Sequence, residues 1–141
     1  MAKLLVPVDG SENALRAVDF VIQQARQAPD TELHVLNVQP PIISGAVKQF
    51  VDKATIDQYY QAEARDALKA ALERLDQAKV PYTRAERVGP VAETIAKYVQ
   101  DEDIGHVVMG TRGLSAMSGF WLGSVTTKTL HLIQVPVTLI K

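Results

Sequence analysis

The chain has 141 residues, 47% of them hydrophobic and 22% charged, and its 15 basic and 16 acidic side chains leave a net charge of −1. That length suits one domain, residues 1–141, with a core of its own, and the charge balance gives no electrostatic reason to expect a nucleic-acid or membrane partner. The chain has no cysteine, which excludes disulfides, thiolate metal ligands and a cysteine nucleophile.

Short apolar runs alternate with helical patterns from end to end. Lys3 to Val8 reads as a first strand ended by Asp9-Gly10-Ser11. Its apolar run is too short for a signal segment or a membrane span, so a cytoplasmic protein is expected. Ala14, Ala17, Val18, Val21, Ile22 and Ala25 then recur at three and four residues, one face of a helix, with Ser11 as its N-cap. Thr31 to Val38 is a second strand, stopped by Gln39-Pro40-Pro41. Pro40 to about Ala54, with Ser44-Gly45, has no clear period and is the one long candidate loop.

Ile56, Tyr59, Tyr60, Ala64, Ala67, Leu68, Ala71, Leu72 and Leu75 mark a long second helix, with the two tyrosines expected in or near the core. Thr55 and Gln58 suit a capping box at its start. Tyr82 to Val88 is a third strand, and Pro90 fits the first position of a helix running to Gln100. A fourth strand ends at Met109. It is followed by a loop, a helix from a Ser124 cap to Ile133, and a last strand, Val137 to Ile140.

Strands one to four are each followed by a helix, which predicts a single doubly wound, five-stranded parallel sheet with helices on both faces. Ligands of such sheets sit outside the strand carboxyl ends where the winding reverses. Two turns look functional, Asp9-Gly10 after strand one and Gly110 to Gly113 after strand four. For both to line one crevice, strands one and four must be neighbours, which favours the order 3-2-1-4-5 over 2-1-3-4-5.

The stretch Met109-Gly110-Thr111-Arg112-Gly113, followed after a spacer by Gly123-Ser124-Val125-Thr126, carries the most chemistry. Glycines let backbone approach an anion, and the amides and dipole of a helix start point at it. Nucleotide binding is the leading expectation. Other chemistries find little support. His34, His106 and His131 lack metal-ligand spacing, and Asp101-Glu102-Asp103 reads as a solvated turn. Ser115, Ser118 and Ser124 lack a Gly-x-Ser-x-Gly elbow for a triad with His131. Neither a Gly-x4-Gly-Lys-(Ser/Thr) loop nor a dinucleotide Gly-x-Gly-x2-Gly occurs. Phe120 and Trp121 suit either loop packing or a partner contact.

Three stretches carry a resemblance to the universal stress protein family over the whole length: Leu5-Val6-Pro7-Val8-Asp9-Gly10-Ser11, Val88 to Ile95, and Val107 to Gly113 continuing into Gly123-Ser124-Val125. The ATP-binding subgroup of that family carries Gly-x2-Gly-x9-Gly-(Ser/Thr), a pattern that Gly110, Gly113, Gly123 and Ser124 fill without a gap. The resemblance implies an adenine nucleotide alpha hydrolase-like fold with the 3-2-1-4-5 sheet. It also implies that Asp9 and Val38 face an adenine, with Pro7 and Val8 in the same wall. Met109 and Gly110 would lie against ribose and base. Gly113, Gly123, Ser124, Val125 and Thr126 would hold phosphates through amides and hydroxyls. Many relatives place a basic residue in the nine-residue spacer, whereas this chain has none there and Arg112 is the nearest substitute.

The expected ligand is ATP, with AMP or ADP as alternatives and magnesium or manganese entering only through the phosphates. The expected role is a stress-response sensor or regulator, working through nucleotide-dependent conformation and a homodimer surface. The resemblance implies pairing through Val137–Ile140. No catalytic residue and no metal site is expected. A slow ATPase or self-phosphorylating protein, and a nucleotide-free interaction module, stand as the alternatives.

Overall fold

A computed structural model of the chain describes residues 2–42, 50–113 and 122–141. The expectations placed on Ser44-Gly45 and on Ser115, Ser118, Phe120 and Trp121 lie outside them. In chain order the elements are β1 (Lys3–Pro7), α1 (Glu12–Gln27), β2 (Glu32–Gln39), α2 (Lys53–Gln77), β3 (Thr83–Val88), α3 (Val91–Asp101), β4 (His106–Gly110), α4 (Ser124–Leu132) and β5 (Val137–Ile140). The strands form one sheet in the order β3-β2-β1-β4-β5, every pair parallel. The winding therefore reverses between β1 and β4.

The period of two in β1 divides the core. Leu4, Val6 and Val8 lie in one apolar cluster with Ala14, Ala17, Val18 and Val21 of α1 and Leu68, Ala71 and Leu75 of α2. Leu5 points the other way, to Leu36, Ile95, Tyr98, Val99, Val107 and Met109. Both faces of the central strands are thus covered, which is why they read as unbroken apolar runs. Truncating a fully buried member such as Leu68 costs roughly 2–5 kcal/mol.

Helix starts differ from expectation at three points. Asp52 rather than Thr55 caps α2: its Oδ1 accepts from the Thr55 amide at 2.8 Å. The carboxylate lies three residues ahead of the expected box, and Thr55 supplies the amide that needs capping. Pro90 stands at the N-cap of α3, one position earlier than expected. Gly123, not Ser124, is the N-cap of α4.

Tyr59 also departs from expectation. It is half exposed, because α2 has 25 residues and spans about 37 Å at 1.5 Å per residue, well beyond the strands it covers. Its first turns overhang the sheet, and buried positions begin only at Ala64. Tyr60 is partly covered and its hydroxyl accepts the Ile42 amide at 2.7 Å.

The histidines are structural or surface residues. His34 is buried and shares a hydrogen bond with the Tyr98 hydroxyl at 2.6 Å, while its Nε2 lies 3.0 Å from Glu32 Oε1. His106 Nε2 pairs with Thr138 Oγ1 at 2.8 Å, and His131 is exposed.

Candidate functional site

A cavity of about 520 Å³ opens beyond the carboxyl ends of β1, β2 and β4, within the size range of small-molecule sites. All twelve residues singled out from the sequence line it: Pro7, Val8, Asp9, Val38, Met109, Gly110, Arg112, Gly113, Gly123, Ser124, Val125 and Thr126. Toward β2 the walls are largely apolar, with Val38, Pro40, Val91 and Ile95. Toward β4 the lining changes to the glycine loop and the first turn of α4. Asp9 and Arg112 are the charged residues among the described lining.

The turn after β1 is tied down by its own side chains. Asp9 Oδ1 accepts from the Ser11 amide at 2.9 Å, and Ser11 Oγ accepts from the Ala14 amide at 3.1 Å. Gly10 completes the turn at φ +88°, a conformation that glycine adopts without a Cβ penalty. On the β2 side, Asn37 Nδ2 donates to the Val8 carbonyl at 2.8 Å, and its Oδ1 accepts from Gln39 Nε2 at 2.9 Å. The strand ends beneath the cavity are therefore held by buried side chains as well as by sheet hydrogen bonds.

The loop after β4 is built differently. The Thr111 amide donates to the Ile140 carbonyl at 2.9 Å, and the Thr111 carbonyl accepts from the Gly123 amide at 2.7 Å. Gly123 is therefore held against Thr111 where α4 begins. Gly123 sits close against this junction: a Cβ there would lie 3.3 Å from Arg112 Cα and 3.4 Å from the Thr111 carbonyl oxygen. At Gly113 a Cβ would meet Asp9 Oδ2 at 2.5 Å.

α4 starts without a side-chain cap. The Gly123 carbonyl accepts from the Thr127 amide at 2.9 Å, so the amides of Ser124, Val125 and Thr126 are the first-turn donors that have no intrahelical acceptor, and none of them is capped by a side chain among the described residues. All three residues line the cavity. The Thr126 hydroxyl instead donates to the Gly110 carbonyl at 2.9 Å. Its proton is committed within the protein, and only its amide remains for a ligand. Just outside, Lys128 forms an ion pair with Glu93 in the first turn of α3, which holds the Glu93 carboxyl below its usual range.

Asn13, Asn37 and Gln39 were not singled out from the sequence. The available signal was a polar residue in a buried pattern: Asn13 lies four residues before Ala17 on the apolar face of α1, and Asn37 interrupts the run Leu33–Val38. Both are nearly inaccessible to solvent, and buried amides of this kind are hydrogen-bonded. No group of three or more His, Cys, Asp or Glu placed to hold a metal occurs among the described residues. Nor is any helix among them long and apolar enough to cross a membrane.

A family model described as "Universal stress protein family" matches residues 1–141. A universal stress protein from Thermus aquaticus is 30% identical over 139 residues, covering 98% of this chain and 97% of that protein. Universal stress protein YxiE of Bacillus subtilis is 26% identical over 148 residues, covering 99% and 98%. Among solved structures, hypothetical protein MJ0577 superposes with a TM-score of 0.84 at 25% identity, covering 99% of this chain and 95% of that one. A universal stress protein from Archaeoglobus fulgidus in complex with dAMP gives a TM-score of 0.73 at 20% identity, covering 100% and 98%. An Arabidopsis thaliana member of the family with AMP bound gives 0.69 at 19%, covering 100% and 92%. At these last two identities the likeness is one of fold.

Proposed function

This chain belongs to the universal stress protein family, and we propose that its cavity binds an adenine nucleotide, ATP first among them, and that the bound nucleotide regulates the surface the protein offers to partners. One observation carries the reading most of the way. A cavity with an apolar β2 side ends against three helix-start amides that no side chain caps among the described residues, the two environments that a purine and a phosphate chain require. Relatives of the same fold hold AMP and dAMP, which supports an adenine nucleotide.

In this reading Val38, Pro7, Val8 and Asp9 bound the adenine, and Met109 and Gly110 lie against the ribose. The amides of Ser124, Val125 and Thr126 take the phosphates with the helix dipole behind them. Gly113 and Gly123 keep the backbone close, and Arg112 is the basic residue placed to offset phosphate charge. A divalent cation, magnesium or manganese, enters only on the phosphate oxygens. Regulation follows from population shift: the nucleotide acts on a partner surface only to the extent that it binds one loop conformation better than another. β5 lies at the edge of the sheet, and a second copy adding there through Val137–Ile140 gives a symmetric dimer. Light scattering that finds only monomer across micromolar concentrations removes the dimer from the proposal.

Efficient turnover is not part of the reading, since phosphoryl transfer needs a positioned nucleophile and charge neutralisation and Asp9 is the carboxylate among the described lining. The test is calorimetric titration with ATP, AMP and adenosine on the native protein and on Gly113→Ala and Gly123→Val, alongside mass spectrometry of co-purified small molecules. Micromolar binding lost in folded variants supports the proposal. Unchanged affinity in them sinks the site, and steady phosphate release abolished by them would make the protein an enzyme.

A further inference from the structure

Asn13 is buried in the first turn of α1, directly behind the lining residues Gly110 and Arg112, and it touches the glycine loop at two levels. Its Oδ1 accepts the Arg112 amide at 2.7 Å, and its Nδ2 donates to the Ile140 carbonyl at 2.8 Å. That carbonyl also accepts from the Thr111 amide, so both of its lone pairs are used. One partner of Asn13 is a donor and the other an acceptor, and the carboxamide, which carries both an N–H and a carbonyl oxygen, satisfies the two at once. Aspartate would set a carboxylate against the Ile140 carbonyl, and an aliphatic residue would leave both groups unpaired in a buried place, which is costly.

The same contact changes the meaning of the first glycine. A Cβ at position 110 would overlap Oδ1 and Cγ of Asn13, with the Arg112 carbonyl oxygen next at 3.3 Å. The carboxamide could swing aside only by giving up both of its hydrogen bonds. Together with Thr126 Oγ1 on the Gly110 carbonyl and the Gly123 amide on Thr111, Asn13 fixes the polar backbone groups from Gly110 to the Arg112 amide inside the protein.

We infer that Asn13 is the positioning residue of the glycine loop, and that Gly110 lacks a side chain in order to admit the Asn13 carboxamide. By pinning Arg112 and Thr111 against the end of β5, Asn13 sets where Gly113 and the first turn of α4 present themselves. The ligand arm of this inference rests on the nucleotide reading above; the loop arm does not.

The experiment uses the full chain with Asn13→Ala, Asn13→Asp, Gly110→Ala and the Asn13→Ala/Gly110→Ala double variant. ATP and adenosine affinities are measured by calorimetry and amide exchange by NMR. In the native background Gly110→Ala weakens ATP by on the order of tenfold, as does Asn13→Ala. In the Asn13→Ala background the same glycine change adds less than about twofold, the non-additivity of two residues sharing one contact. Adenosine, which has no phosphate for the loop to position, shifts less than about twofold throughout, a split that general destabilisation would not produce. Asn13→Ser, which also lacks the Cγ and Oδ1 that a Cβ at position 110 would meet, replaces Asn13→Ala if the alanine variant does not fold. Asn13→Asp keeps those atoms and the acceptor for the Arg112 amide, so in it Gly110→Ala still adds its full penalty.

Effects of the two substitutions that simply multiply overturn the inference. If the native protein binds no nucleotide, the proposed function fails, and amide exchange still decides the role of Asn13. Exchange of the Arg112 amide at least about tenfold faster in Asn13→Ala supports it, and an unchanged rate overturns it.

Discussion

The starts of α1 and α4 stand at the carboxyl ends of the two central strands, β1 and β4, and solve the same problem in opposite ways. At α1, Asp9 Oδ1 accepts the Ser11 amide and Ser11 Oγ accepts the Ala14 amide, so side chains close the helix start. At α4 the N-cap is a glycine, and among the described residues no side chain caps the turn whose first three amides belong to cavity-lining residues. Uncapped helix-start donors are ordinary at an exposed surface, where water takes them. Here they are gathered beside an apolar wall. The difference teaches that serine at a helix start is not evidence of a ligand in itself; what matters is whether its side chain closes the turn or leaves it open.

The largest effect that sharpens this contrast is at Gly123. A valine there presses on the backbone of Thr111 and Arg112 rather than on a movable side chain, and ATP affinity should fall by about 100-fold or more, read by calorimetry. The two serines give the next test. Ser11→Ala removes a working cap and should cost about 1 kcal/mol in urea unfolding while leaving ATP affinity within about twofold. Ser124→Ala should do the reverse, leaving stability within roughly 0.5 kcal/mol and weakening ATP severalfold. A stability loss at Ser124 equal to that at Ser11 would break the comparison.

The smallest expected effect is in acid. Asp52 caps α2 through the side chain and amide of Thr55, which hold its carboxyl below the usual range, and Lys128 does the same for Glu93. A depressed folded-state value means that the stabilisation is complete above the unfolded carboxylate range and is lost as pH falls through the folded value. Asp52→Ala and Lys128→Ala should therefore narrow the stability difference between neutral pH and about pH 3, measured as thermal midpoints across that range. Midpoint differences that match the native protein at both ends would contradict this. Neither group titrates near neutrality, so this dependence should not touch nucleotide affinity at pH 7.

Much of the fold and the cavity was legible in the chain because both rest on patterns that local physics makes visible. Leu4–Val8 and Val107–Met109 are covered on both faces, and that burial writes itself as continuous apolar runs. The strand order followed from requiring the Asp9-Gly10 and Gly110–Gly113 turns to share a crevice. Apolar periodicity, however, counts only apolar residues, so it passed over Asn13 and Asn37, whose buried amides hold the strand ends. Cap positions were misread by one to three residues at Thr55, Pro90 and Ser124. Each of these neighbourhoods offers more than one competent residue, and the choice depends on backbone conformation that the sequence does not print. Tyr59 was misplaced because periodicity cannot tell where a long helix outruns its sheet.

The central claim is that the first turn of α4 is left open for a nucleotide's phosphates. It is tested most directly by following the backbone amide resonances of Ser124, Val125 and Thr126 while ATP, and separately adenosine, is titrated into the protein. The account predicts large shifts and slowed exchange of these three amides with ATP, and much smaller changes with adenosine. Saturable ATP binding that leaves the three amides where they were would contradict it.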